Sequence, residues 1–369
     1  VLIEKHFGCV RYIYNKCLET KIKAYENNTS LSCIDLTNGL LIEEKANHEW
    51  LKEVHSQPLQ MSIRNLDNAF KRFFKQRKGF PNFKKKRSVQ SFQFPQGVKL
   101  IDHNHLYLPK IGNMNFVQDR QFSGKIKTST ISKTHTNKYF ISLLIDNGKE
   151  LPKKAKVEER TTIGIDVGIK SYIVMSNGDK IDNPKFLNKK IERLRVLQRR
   201  ASKKTLGSKN RSKANLRVAI LREKVRNQRN DFLHKLSSKI VSENQTICVE
   251  DLSIENMLKN HNLAQAQAIG DASWRRFVGM VGYKSEWRGK NFIKIGRYEA
   301  SSKICSVCGS VNNELKLSDR ERVCKSCGAV HDRDENAAIN IKKFGLIVNS
   351  KKYARQELSE VLLELSSYK

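Results

Sequence analysis

The sequence predicts a multidomain α+β protein. A helical and β-barrel N-terminal lobe comes first, then an α/β lobe with an inserted four-cysteine zinc knuckle. Three observations predict this. Apolar residues recur at spacings of three and four up to about position 75. From about 89 to 147 the pattern turns to short strands separated by turn residues. Beyond 160, short apolar strands alternate with long helical stretches. A chain of 369 residues is long enough for two or three domains.

In chain order, residues 1–88 form the helical domain, with Val10, Tyr14 and Leu18 on one apolar face and Leu59, Ile63, Leu66, Phe70 and Phe73 on another. Its end is basic and aromatic, running from Phe70 to Arg87; the aromatics serve either as core or as platforms for bases. Residues 89–155 are expected to form a small, wedge-like β-barrel or a twisted sheet from Ser91–Pro95, Leu106–Pro109, Lys125–Lys127 and Tyr139–Ile145, ending in a lysine-rich linker. His103-Asn104-His105 reads as a loop.

The α/β domain, 156–300, opens with the strand Thr162–Gly168 and a hairpin partner, Ser171–Gly178, closing in an Asn-Gly turn. Two basic helices, about 185–203 and 213–242, are expected to pair as a hairpin within 185–242. Their apolar stripes are Leu187, Ile191 and Leu194 on one, and Leu216, Ile220, Phe232, Leu236 and Ile240 on the other. Thr246–Glu250 and Phe292–Ile295 read as strands, and Ser273–Phe277 with Tyr283–Trp287 as a helix packed on the sheet. The zinc knuckle spans 301–330, the last part of the α/β domain 331–346, and a C-terminal tail 347–369.

Charge narrows the partners. Lys and Arg number 70 against 37 Asp and Glu, a formal net charge of +33, which suits a polyanion. A solubility surface or a ribosomal-type protein is the plainer alternative. Lys84, Lys85, Lys86 and Arg87, with Arg195, Arg199, Arg200, Arg222 and Arg226 of the helical pair, are the candidate nucleic-acid contacts. No stretch approaches the roughly 18–20 apolar residues of a membrane span. Four of the eight cysteines (Cys9, Cys17, Cys33 and Cys248) are scattered, which is no disulfide framework and fits a reducing cytoplasm or nucleoid. The chain starts at Val1 already in a helical pattern, as expected of a sequence truncated at its N-terminus.

The other four cysteines form Cys305-x-x-Cys308 and Cys324-x-x-Cys327, with 15 residues between the inner pair. That spacing is expected of a closed, structural, tetrahedral zinc site. Four thiolates fill it, so His331 is at most a neighbour.

Three acids sit at the ends of apolar elements: Asp166 after Ile163-Gly164-Ile165, Glu250 after Ile247-Cys248-Val249, and Asp334 where an apolar helix begins. A carboxylate buried in such a setting is costly unless paired or coordinated. Any one alone reads as a strand end or a cap, and Asp332 or Asp334 as an N-cap. Together they suit two Mg²⁺ ions about 3.5–4 Å apart acting on a phosphodiester, with Asp166 bridging and Glu250 and Asp334 completing the shells.

Gly164-Ile165-Asp166-Val167-Gly168-Ile169-Lys170, Val249-Glu250-Asp251-Leu252 and Asp332-Arg333-Asp334-Glu335-Asn336-Ala337-Ala338 resemble the three motifs of RuvC-type, ribonuclease-H-like nucleases. Their order, with a basic helical insertion before the second and a cysteine knuckle before the third, resembles the TnpB (OrfB) proteins of bacterial transposons, relatives of type V CRISPR effectors. Further likeness lies in Trp50–Val54, Phe80–Lys86, Leu108–Gly112 and Ala300–Cys305. The resemblance implies RNA-guided cleavage of double-stranded DNA with a guide RNA from the transposon end. It implies Asp166, Glu250 and Asp334 as catalytic acids, Asp332 being displaced by the D-x-N-A-A register. The family's opening β-strand, part of its RNA-gripping barrel, is not in this sequence. Alternatives are a catalytically silent RNA-guided repressor, a compact type V effector, or a transposase that joins strands itself.

Overall fold

The computed structural model describes residues 1–253, 256–257, 263–297, 299–315 and 319–367, with backbone alone at 263–265 and 351–367. It divides into two compact units, Val1–Lys149 and Glu150–Lys369.

The first unit is built on α1 (Leu2–Glu26), followed by the short helices α2 (Cys33–Asp35) and α3 (Leu41–Asn47), and then by α4 (Ser56–Gln76). Phe7, Val10, Tyr14, Cys17 and Leu18 line one face of α1 at helical spacing. They meet Leu59, Ile63 and Leu66 of α4 in one core. Full burial of each such aliphatic side chain contributes about 1.5–3 kcal/mol. Two polar groups are satisfied inside this seam: the Ser62 hydroxyl donates to the Val10 carbonyl at 2.9 Å, and His6 joins the Leu2 carbonyl to the His55 N–H.

Two antiparallel sheets complete the unit. One has the order β1 (Gln90–Phe94), β5 (Lys125–Lys133), β6 (Tyr139–Asp146); the other runs β2 (Lys99–Asp102), β3 (His105–Leu108), β4 (Gly112–Asn115). His103 and Asn104 form the turn between β2 and β3. The barrel expected over 89–155 is not closed, because no ladder among the described residues joins the two sheets. Each sheet buries one face only. Phe92, Phe94, Leu106, Leu108 and Ile131 enter the helical core, while β2 is exposed throughout and Phe140 and Leu144 of β6 face outward.

The second unit is centred on a five-stranded mixed sheet of order β11–β10–β7–β8–β9: β11 (Asn291–Ile295), β10 (Thr246–Glu250), β7 (Thr162–Val167), β8 (Ser171–Met175) and β9 (Lys180–Asp182). β8 runs antiparallel to both its neighbours, β7 and β9, whereas β10 lies parallel to β7 and β11 parallel to β10. β8 is the hairpin partner expected for β7. The Asn177-Gly178 turn, however, leads onward into β9, a strand the sequence reading did not include; Gly178 takes φ +89° there.

Successive residues of a strand face opposite sides. Ile163, Ile165, Ile247 and Val249 pack against α6 (Lys209–Glu243), α7 (Leu263–Ala272) and α8 (Trp274–Trp287) through Leu233, Leu236, Ile240, Phe277 and Val281. Gly164 and Cys248 face the other way, toward α9 (Arg333–Ser367). A Cβ on Gly164 would stand 2.1 Å from the Ala338 carbonyl oxygen, and one on Gly345 2.2 Å from the Cys248 sulfur. Helix and sheet therefore touch almost backbone to backbone. α9 continues unbroken past 346.

α5 (Ile191–Ser202) and α6 pack as the expected helical hairpin through Leu194, Ala201, Val218 and Leu221. The stripe differs from expectation: Ile220 is exposed, and Ala214, Val218, Leu221 and Val225 form the inward row. α6 also starts earlier, at Lys209, because the Ser208 hydroxyl caps it by accepting from the Arg211 N–H.

Candidate active site and cysteine clamp

Asp166 and Glu250 share the sheet face that α9 covers, two residues beyond Gly164 and Cys248. Each stands one position past the paired Ile165 and Val249, at the carboxyl ends of adjacent parallel strands. That is where open α/β sheets present their ligands. Ala338 rests on Gly164, so Asp334, one helical turn earlier, comes over Asp166. Three elements far apart in sequence thus bring the three predicted acids to one place.

Their electrostatics record this. Burial first, then Asp334 and Glu250, push Asp166 up to about 8. Burial and then Asp251 raise Glu250 to about 7. These are acids short of positive charge. Arg320 reaches Asp334 at 3.1 Å, and Arg297 engages Asp251 at 2.9 Å. Asp332 plays a different part: it accepts from the N–H groups of Asp334 and Glu335 at 3.0 Å each, capping α9, and pairs with Lys180 at 2.7 Å. Burial opposes its ionisation, but Lys180 and the two amides hold it below its ordinary value.

The cysteine clamp is two copies of one loop. In the first, Cys305 N–H donates to the Ser310 carbonyl and Gly309 N–H to the Cys305 carbonyl, at 2.8 and 2.9 Å. In the second, Cys324 with Ala329 and Gly328 with Cys324 repeat both bonds at the same distances. Gly309 and Gly328 take φ of +78° and +72°, which only glycine adopts without strain. The sulfurs of Cys305 and Cys327 lie 3.7 Å apart, and those of Cys308 and Cys324 3.6 Å. A tetrahedral zinc with bonds of about 2.3 Å needs sulfurs about 3.8 Å apart, so the four fit it. The Ser310 hydroxyl, followed by backbone amides, lowers the Cys324 pKa, while that of Cys327 is raised, its bond to the Ala329 amide outweighed by the neighbouring sulfurs.

Among the described residues these cysteines form the only set of three or more candidate ligands within 4.8 Å of one another; the carboxylates stand farther apart. His331 is buried, with Nε2 3.1 Å from the Cys305 sulfur, outside the four-sulfur set. Positions 316–318 of the expected knuckle lie outside the described residues.

Of the predicted nucleic-acid contacts, Lys85, Lys86, Arg87, Arg199, Arg200 and Arg222 are exposed. Arg195 and Arg226 are exposed and lean on Glu192 and Glu223. Lys84 differs: its ammonium sits 4.0 Å over the Tyr14 ring, Asn15 holds its backbone at both N and O, and burial lowers its pKa. Phe70 and Phe73 are half-buried, whereas Phe74, Phe80 and Phe83 are exposed. Sequence reasoning missed Arg320, Asn336 and Asn340. The twice-repeated Cys-x-x-Cys-Gly and the Asn pair four apart on an apolar helix were the available signals.

Family models described as "Probable transposase", "Cas12f1-like, TNB domain" and "Helix-turn-helix domain" match residues 142–261, 274–341 and 1–30. The chain is 38% identical to a Streptomyces pristinaespiralis protein named "Putative RNA-guided DNA endonuclease", covering 94% of this chain and 86% of the relative. It is 29% identical to "Putative RNA-guided DNA endonuclease InsQ" of Escherichia coli K12, over 92% and 87% respectively. Its fold resembles that of Cas12f1 solved with guide RNA and target DNA, with a TM-score of 0.56 at 18% identity over 92% of this chain and 82% of that one.

Proposed function

The chain belongs to the TnpB (OrfB) family, and from that premise we propose that it is an RNA-guided DNA endonuclease. It takes a guide RNA from the transposon end and hydrolyses phosphodiester bonds of double-stranded target DNA. The observation that carries this reading is the convergence of Asp166, Glu250 and Asp334 in a place that raises the first two well above ordinary carboxyl values. Three carboxylates, two of them short of cations and the third paired with Arg320, are a donor set that suits two magnesium ions. The order β11–β10–β7–β8–β9, with an antiparallel β8, supports a RuvC-like, ribonuclease-H-like core.

Bound by Asp166, Glu250 and Asp334, magnesium would polarise a phosphoryl oxygen and activate the attacking water. The chain's own residues set up the rest. Gly164 lets α9 close on β7 and fixes the offset between Asp166 and Asp334. Asp332 holds the start of α9, and Arg320 offsets the Asp334 charge. The cysteines carry a structural zinc and take no part in the chemistry. Lys85, Lys86, Arg87, Arg195, Arg199, Arg200, Arg222 and Arg226 neutralise backbone phosphates of guide and target. Such an activity belongs in the cytoplasm, at the bacterial nucleoid.

The test is cleavage of a plasmid carrying a matching target by the full-length protein and its flanking transposon-end RNA, with Asp166→Ala as control. Cutting is expected only with magnesium, RNA and Asp166 together. An inactive wild type would remove the nuclease reading, and cutting without RNA would remove the guide.

A further inference from the structure

The first turns of α9 hold more than Asp334. Asn336 and Asn340, 1% and 2% exposed, point from one face of the helix into the backbone around Cys305. The Asn336 Oδ1 accepts from the Ser306 N–H at 2.8 Å, and its Nδ2 donates to the Ile304 carbonyl at 2.8 Å. The Asn340 Nδ2 donates to the Ser301 and Ile304 carbonyls, both at 2.8 Å. One turn on, the Lys343 ammonium donates to the Ser306 carbonyl. Asn336 thus bonds both peptides that flank Cys305, Asn340 shares the first of them, and Lys343 holds the next peptide along. Sliding the helix along the loop would pull these buried amides away from the carbonyls and N–H that satisfy them.

The other half of the clamp returns to the same acid. Arg322 donates to the Lys303 and Ile304 carbonyls at 2.9 Å. Arg320, at the start of the hairpin formed by β12 (Glu321–Val323) and β13 (Val330–Asp332), pairs with Asp334. Asp334 is therefore held through the Cys305 loop by Asn336 and through the Cys324 hairpin by Arg320, and those two arms join at the Arg322 bonds and at the sulfurs.

We propose that Asn336 and Asn340 are positioning residues that transmit the state of the cysteine clamp to Asp334, so that closing the clamp raises the affinity of Asp166, Glu250 and Asp334 for a divalent cation. The proposal rests on the reading that these three carboxylates bind such a cation. It makes the zinc site a partner in metal affinity at a second site, a coupling free energy between the two.

The experiment titrates Mn²⁺ into the full chain by electron paramagnetic resonance, with Asp166→Ala as background and zinc content measured in parallel. Emptying the clamp by Cys327→Ser is expected to weaken Mn²⁺ binding about tenfold. The double variant Asn336→Ala, Asn340→Ala is expected to keep its zinc, show the same tenfold loss, and lose nothing further when Cys327→Ser is added. Wild-type Mn²⁺ affinity in the zinc-loaded asparagine variant would overturn the proposal, as would a full additional loss on emptying its clamp. Should the double variant fail to fold, Asn340→Leu, which keeps the volume and the Asn336 bonds, goes through the same cycle with a smaller expected loss and the same overturning results. Mn²⁺ binding untouched by Asp166→Ala would instead sink the underlying reading, and the coupling with it.

Discussion

Gly164 and Ala338 meet with no room for a methyl group between them: a Cβ on the glycine would lie 2.1 Å from the alanine's carbonyl oxygen and 2.6 Å from the Lys342 nitrogen. The contact is made by backbone, which cannot step aside as a long side chain would.

Gly164→Ala is therefore expected to lift α9 from β7. Overpacking of this kind costs about 1–3 kcal/mol. A calorimetric midpoint several degrees lower should accompany loss of plasmid cleavage, because the offset between Asp166 and Asp334 changes too. A variant with unchanged midpoint and cleavage would show that the helix is not seated on the glycine.

The pH dependence of stability, measured without divalent cations, should carry the signature of the acids. Asp166 rises from 3.8 to about 8, and Glu250 from 4.5 to about 7. The folded state thus holds protons that the unfolded state has released. Their contribution is full below about pH 4 and declines as pH rises, ending near 8 for Asp166 and near 7 for Glu250. Asp166→Asn should flatten the decline while abolishing cleavage. A slope unaffected by the substitution would assign the effect to other groups.

Lys84 and its neighbours should separate by assay. Lys84→Ala removes a cation over the Tyr14 ring and is expected to cost about 1 kcal/mol in denaturant unfolding. Lys85→Ala and Lys86→Ala should leave stability alone and weaken RNA binding, each lowering the slope of log affinity against log salt by about one. The opposite pattern would make Lys84 the phosphate ligand.

Within the hairpin, Arg199→Ala and Arg222→Ala should weaken guide RNA or heteroduplex binding evenly across sequences, since exposed guanidinium groups read phosphates rather than bases. Filter-binding with unrelated guides checks this. A loss confined to one sequence would point to base contact.

Legibility followed locality. The strands around Asp166 and Glu250 declared themselves as short apolar runs closed by a charge, and the cysteine spacing fits sulfur distances of 3.6 and 3.7 Å. What escaped depends on partners distant in sequence. β9 is three residues long and gains its place only from the β8 edge. Ile220 looked like stripe because α6 carries apolar residues on more than one side, and only α5 decides which row is covered. Whether the N-terminal strands close into a barrel was not legible, because alternation within a strand says nothing about whether edges meet. Lys84 read as one of four equivalent cations until Tyr14, 70 positions earlier, was brought beneath it. Asn336 was passed over beside the aspartates because its bonds run to main-chain atoms, which leave no trace in residue identity.

The twin Cys-x-x-Cys-Gly loops bear on how the metal arrives. Each loop is already shaped by its own pair of backbone bonds and its own left-handed glycine. A zinc ion held by the four sulfurs would therefore not need to organise a floppy ring; it would rivet two finished jaws. Capture becomes a docking event between rigid parts, so zinc uptake should tolerate changes in the span between the jaws far better than a change at Gly309 or Gly328.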